Sequence, residues 1–200
     1  MNKITLLLIV FLASIKILSA QNFEGVIEMH QVTTNGLEYD LKWYIKGDKI
    51  AYELSTKSSE NAVQMRFVPQ KSSNSMLMIS GNTKTEIPSE QITAPVGFSM
   101  KGAKFVEKGT SSNSDFKSVK QWEITTDKMI ANVEVTTDIG INFAEHKQFF
   151  KSDYGLCALA ESGKAGFPLN ITIQDKAGNV LTKTTLKKVT RMPVADSFFQ

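Results

Sequence analysis

The segment LKWYIKGDKIAYEL, Leu41 to Leu54, constrains this chain more than any other stretch. Large apolar side chains alternate with polar ones on both sides of Gly47-Asp48. A period of two belongs to strands, whose successive side chains point to opposite faces. Glycine at the first central position suits a two-residue type II′ turn. That turn sets Lys46 opposite Lys49, Ile45 opposite Ile50, Trp43 opposite Tyr52 and Leu41 opposite Leu54. One face is then wholly apolar, and the other sets Lys42 against Glu53 and Tyr44 against Ala51. A slip of one residue would mix the faces, so the register is strongly specified. The Lys46–Lys49 pair is unfavourable and is expected beside the turn, in water.

The same pattern recurs downstream. In KQWEITTDKMIANVEV, a turn at Asp127-Lys128 places Trp122 opposite Val133, Ile124 opposite Ala131 and Thr126 opposite Met129. Gln121, Glu123, Asn132 and Glu134 fall on the reverse face, giving one buried and one wet side. A third pair is expected in FPLNITIQDKAGNVLTKTTLKKVTRM around Gly178-Asn179, with its register open. NFEGVIEMHQV alternates Phe23, Ile27 and Met29 against Glu24, Glu28 and His30, and shorter strands are expected at Ala62–Val68, Ser75–Ser80, Lys84–Ile87 and Ala103–Lys108. About eight to ten strands in sequential hairpins point to a sandwich or an up-and-down barrel. Two stretches break the pattern. Ile87 to Gly102 holds Pro88 and Pro95 among apolar residues and reads as a packed loop or a cover. Ile141 to Gly166 reads as one or two short helices, with Asn142 as cap and Glu145 three residues on.

The first twenty residues stand apart. Lys3 precedes the apolar run Ile4–Ile15, and Ala20 is a small residue at a plausible cut. This is the pattern of a secretory signal peptide, with the mature chain starting at Gln21 as a single domain to residue 200. The run is shorter than the about 20 apolar residues that a membrane span needs. A periplasmic or secreted location is therefore expected. The single cysteine, Cys157, excludes an internal disulfide and any cysteine-rich metal site. It also lies far from the cut, so no lipid-bearing N-terminal cysteine is available. The chain is +3; without Lys3 and Lys16 its 23 basic residues fall to 21 against 20 acidic ones. That near-balance argues against nucleic acid as a partner, since such binding leans on many phosphate contacts.

Catalytic chemistry finds little footing. His30 and His146 are the only histidines, one on the polar face of a strand and the other on an expected exposed helical turn. Without a spaced carboxylate they make a poor metal signal. No serine sits in a G-x-S-x-G turn. Cys157 lies in an apolar run and reads as buried and inert. No nucleophile–base pair supports a hydrolase, so no catalytic residue, metal or cofactor is assigned. Asn170-Ile171-Thr172 matches a glycosylation acceptor but lies inside an expected strand, and reads as chance. Lys183, Lys187, Lys188 and Arg191 make the last strand basic, which reads as a charged edge strand guarded against aggregation; the sharper reading is a patch for anionic lipid heads or envelope polymers.

The remaining signal is apolar. A one-faced sheet must be covered, and only the Ile87–Gly102 loop and the short helical segment are available. Incomplete cover over a curved sheet leaves a cavity for small apolar ligands. Flexible methionines such as Met65, Met76, Met78 and Met100 suit such a surface.

FEGVIEM, WYIKGDKIAYEL, SMLMI…KTEIP and GFPLNITIQDKAGNV…VTRMPVADSFF together resemble the secreted bacterial family grouped as domain of unknown function 4412. That group is similar in plan to the lipoprotein carriers LolA and LolB and the lipid-carrying LppX. The resemblance implies a mainly β fold: a curved, half-open antiparallel barrel with short helices across its concave face. It implies an apolar cavity for a lipid, an acyl chain or a lipoprotein, and no catalytic residues. The expected function is non-enzymatic binding of a hydrophobic ligand by a monomer, with Trp43, Tyr52, Phe98, Met100 and Trp122 as ligand-binding residues. The alternative is a structural or protein-interaction module of the cell envelope with a filled core.

Overall fold

A computed structural model of the 200-residue chain describes residues 23–56, 63–93, 102–112, 114–141, 143–151, 156, 159 and 166–200. The expected signal peptide, Phe98, Met100, Asn142 and Cys157 lie outside the described residues.

Alternation produces eleven strands: β1 Glu24–Thr33, β2 Glu38–Lys46, β3 Lys49–Thr56, β4 Gln64–Gln70, β5 Ser75–Ser80, β6 Thr83–Pro88, β7 Lys104–Ser111, β8 Val119–Thr125, β9 Met129–Thr136, β10 Phe167–Asp175 and β11 Val180–Arg191. They form one antiparallel sheet in the order β6-β5-β4-β3-β2-β1-β11-β10-β9-β8-β7. It is an open sheet with β6 and β7 at its edges, not a closed barrel.

The chain lays strands outward from β1 to β6, crosses to the other edge, and returns inward from β7 until β11 docks on β1. The basic last strand is therefore interior, contrary to the edge role expected for it. Lys188 faces Glu28 of β1, and Lys187 is the extra residue of a bulge between the Glu28–Lys188 and Met29–Leu186 pairs.

The hairpin registers follow the sequence. Ile45 pairs with Ile50, Trp43 with Tyr52 and Leu41 with Leu54; Gly47 has φ 63°, which the first position of a type II′ turn requires. Trp122 pairs with Val133 and Ile124 with Ala131. In the third hairpin Asp175 closes the loop by accepting from the backbone N–H groups of Ala177 (2.9 Å) and Asn179 (2.8 Å), which brings Gln174 opposite Val180.

Curvature follows from chain length. Ten strand spacings of about 4.8 Å would hold β6 and β7 about 48 Å apart in a flat sheet. The link from Pro88 to Lys104 reaches at most roughly 53–58 Å when fully extended, and Ser89–Gln91 is coiled as a 3₁₀ helix. Yet Ile92 and Ala103, within that link, pack on the core. The sheet must curl to leave them slack. The aromatic rings agree: Trp43 of β2 lies 5.5 Å from Phe167 of β10, three strands away.

The concave face holds the core. Phe23, Ile27, Leu41, Trp43, Ile45, Val133, Phe167, Leu169 and Ile171 are buried on it. Its cover is the 3₁₀ helix Phe143–Phe149, together with Phe150 and the helical residues Leu156 and Leu159. Phe143, Phe149 and Phe150 are each at most 1% exposed, worth about 1.5–3 kcal/mol apiece.

The convex face has a cover the sequence did not suggest. The tail crosses β1, where the Val194 N–H donates to Glu24 Oε1 at 2.9 Å, and ends in a 3₁₀ turn, Asp196–Phe199. Asp196 accepts from Lys46 Nζ (3.2 Å) and Lys49 Nζ (3.1 Å), so the repulsive pair beside the turn shares one carboxylate.

Candidate functional site

Period two on β2 and β3 points Trp43 and Tyr52 to the concave face, where their ring centroids are 4.9 Å apart. Phe143 (5.5 Å), Phe150 (5.9 Å) and Phe167 (5.5 Å) complete a ring of aromatics around the indole. Trp43 is 1% exposed, and its Nε1–H is buried without a hydrogen-bond partner. Such a donor costs about 1–3 kcal/mol, which the edge-to-face ring contacts offset only in part. Trp43 is thus the floor of the wall.

Cover thins away from that floor. Tyr52 stacks on Phe67 of β4 at 4.9 Å, and Tyr52, Leu54 and Phe67 are only half-buried. Met65 and Met78 flank them in register on the same face, also half-buried. On the opposite lip, Phe105 of β7, Trp122 of β8 and Met129 of β9 are half-buried against the core. The structure therefore brings Trp43 and Tyr52 together and sets Trp122 on the same face of the other half of the sheet. Phe67 was missed among the expected site residues, although alternation in QMRFVPQ places it beside Met65 on the apolar side.

The convex side of β2–β4 is not the wet face that alternation implied. Glu53 is 7% exposed; Lys42 lies opposite it on β2 as expected, and Arg66, opposite it on β4, forms an ion pair with it. Arg66 donates to Oε1 through Nε (2.9 Å) and Nη2 (2.6 Å). The Tyr44 hydroxyl (2.8 Å) and Gln64 Nε2 (3.2 Å) donate to Oε2. Burial and the bond to Glu53 push the Tyr44 phenol well above its usual range. Phe198 of the tail stacks on Tyr44 at 4.2 Å, with the Arg66 guanidinium 4.6 Å from its ring.

The histidines divide. His30 Nδ1 lies 2.9 Å from Asp40 Oδ1, and Nε2 lies 3.5 Å from Glu38 Oε2, across the β1–β2 pair. His146, expected on an exposed turn, is 3% exposed. Its helix packs inward through Phe143, Phe149 and Phe150, and one-turn geometry carries the imidazole in with them. Burial, with Lys71 nearby, pushes the ring pKa down to about 4, and Nδ1 has no hydrogen-bond partner. Asn170 is structural: its amide donates to Glu134 (2.5 Å), and its Oδ1 accepts from the Leu186 N–H (3.0 Å).

Among the described residues, no group of three or more His, Cys, Asp or Glu lies close enough to hold a metal. Among them, no helix is long and apolar enough to cross a membrane.

A search of curated proteins finds no match. A solved structure of an uncharacterized conserved protein from Thermus thermophilus aligns with a TM-score of 0.49 at 8% identity, covering 92% of this chain and 91% of that one. The family profile described as a domain of unknown function (DUF4412) matches residues 23–200, every strand included. The chain belongs to that family.

Proposed function

We propose that the protein is a non-enzymatic binding protein of the periplasm or extracellular space. It takes a lipid, an acyl chain or the acyl moiety of a lipoprotein on the thinly covered parts of its concave wall. The supporting observation is the gradient on one apolar face, from the sealed Trp43 to the half-buried Tyr52, Leu54 and Phe67 on one lip and Phe105 and Trp122 on the other. Half-exposed methionines at Met65 and Met78 suit a flexible apolar guest. The likeness in plan to LolA, LolB and LppX belongs to this reading, as do the signal peptide and the monomeric state. Phe98 and Met100, which lie in sequence between β6 and β7, belong to the same reading. Burying ten methylenes contributes about 8 kcal/mol before ordering costs.

The test is native mass spectrometry after gentle purification, followed by titration with a fluorescent fatty acid. A co-purified lipid mass is expected, with a saturable change in tryptophan fluorescence that Trp122→Phe removes and Trp43→Phe keeps. Phe67→Asp should abolish it. No bound mass and no saturable change would sink the reading.

One observation favours the alternative of an envelope interaction module with a filled core: Trp43 is enclosed by protein rings on the face that would hold the guest. That reading expects no lipid and a protein partner captured from envelope extract.

A further inference from the structure

Among the described residues the sheet has two free edges, β6 and β7, each with a row of backbone groups open to pairing. The edges differ. β7 has a bulge between its Glu107–Trp122 and Gly109–Gln121 pairs, which breaks the outward row. β6 has none: it pairs with β5 in one unbroken register. Thr83, Lys84, Thr85 and Glu86 are all exposed.

The hairpin fixes the phase of that edge. Gly81-Asn82 is a two-residue turn with Gly81 at φ 55°, so the flanking Ser80 and Thr83 exchange both backbone bonds. Alternate residues follow, and Thr83, Thr85 and Ile87 bond towards β5. The N–H and C=O groups of Lys84 and Glu86 therefore point away from the sheet. Pro88, next in the outward row, has no N–H to give and ends it.

An incoming antiparallel strand must bond to Lys84 and Glu86. A second β6 related by a two-fold axis keeps that phase when the axis passes at Lys84, Thr85 or Glu86. An axis at Lys84 sets lysine against lysine, and one at Glu86 sets glutamate against glutamate, both unfavourable. An axis at Thr85 sets each Lys84 against Glu86 of the other copy, and Thr85 against its own twin. Opposite charges and facing threonines both stabilise. Lysine on an edge ordinarily guards against pairing; here the glutamate two residues on cancels the guard for one partner, another copy of this strand. Among the described residues, neither Lys84 nor Glu86 has an ion-pair partner in its own chain.

We infer that β6 is a self-recognition edge: two copies pair antiparallel along it about Thr85 and join their sheets into one. This goes beyond the single-copy binding unit proposed above. Each copy keeps its own concave wall, and so short a ladder makes the pair reversible, with dilute protein monomeric.

The test is sedimentation velocity on the purified protein over a concentration series up to about 1 mM. A saturable rise towards twice the monomer mass is expected. Lys84→Glu and Glu86→Lys each set like charges opposite at both ends of the ladder, and each should weaken pairing at least about tenfold. An equimolar mixture of these two variants restores opposite charges and should recover the dimer. Lys84→Pro removes an N–H that no bond within the hairpin uses; it should also weaken pairing while the fold is kept. Lys104→Glu, on the β7 edge, should change nothing. The inference is overturned by protein that stays monomeric throughout the series, by a dimer indifferent to Lys84→Pro, or by a variant mixture that pairs no more tightly than its components.

Discussion

Glu53 offers the sharpest check on the packing, because its carboxylate organises four donors under the tail. Glu53→Gln keeps the shape and removes the charge. The amide keeps one acceptor oxygen and turns the other arm into an N–H donor, so either the Arg66 pair on Oε1 or the Tyr44 and Gln64 bonds on Oε2 lose their acceptor, at about 1–3 kcal/mol for each donor left unmade. The guanidinium, on a side chain 27% exposed, also loses its counterion. A loss of about 2–4 kcal/mol is expected. Glu53→Leu orphans every donor and should cost about 3–5 kcal/mol, the range for breaking a buried pair from one side. Arg66→Met strands the carboxylate and should cost a similar amount. The double variant Glu53→Leu/Arg66→Met removes both partners, so it should cost clearly less than the two singles together, with a coupling of about 2–3 kcal/mol. Urea unfolding followed by tryptophan fluorescence measures each loss from the midpoint at constant m. A Glu53→Gln loss under about 0.5 kcal/mol, or strictly additive singles, would refute the claim that this cluster is a buried ion pair.

Other expectations test the remaining links. Gly25→Ala would place a Cβ 2.2 Å from the Thr190 carbonyl oxygen and 3.1 Å from Arg191 Cα, at the seam joining the two halves of the sheet. The strands must part, at about 3 kcal/mol, seen as a drop of about 6–12 °C in Tm. His146 has a folded pKa near 4 against an ordinary 6.5, so the unfolded chain binds the extra proton first. Stability should hold above pH 6.5 and fall as pH drops from 6.5 towards 4; His146→Phe should flatten that slope in pH-dependent urea unfolding. The Asp196 carboxylate is held below its usual range by hydrogen bonds from Lys49 and then Lys46. Tail docking should therefore survive down through the ordinary carboxylate range and fail only below it. Asp196→Asn should raise hydrogen exchange at the Phe198 amide while leaving the global midpoint in place.

Local pattern made much of the architecture legible. The Gly47-Asp48 turn and the alternation around it fixed six cross-strand pairs that the fold reproduces, because a two-residue turn leaves the register no freedom. Ser75–Ser80 was placed to the residue. The third hairpin was not, since the side chain of Asp175 sets its loop and a bulge follows at Ile173/Gln174. The basic strand was misjudged as an edge because its neighbour, β1, comes from the other end of the chain, and period two says nothing about who sits alongside. For the candidate wall, Trp43, Tyr52 and Trp122 were on the correct face, but their depth was not legible.

The sequence by itself determined most of the strands, the registers of the hairpins at Gly47-Asp48 and Asp127-Lys128 and the existence of one continuous apolar face, since each rests on contacts between near neighbours in the chain. Only the tertiary structure decided how that face is shared out. Curling the sheet brought Phe167 and the Phe143–Phe150 segment onto Trp43 and sealed it, while leaving Tyr52, Phe67 and Trp122 half open. The same long-range packing drew His146 inside and laid the tail over Glu53 and Arg66. Burial is a property of what lies opposite a residue, and that partner is set by chain closure over many residues, beyond the reach of any local period.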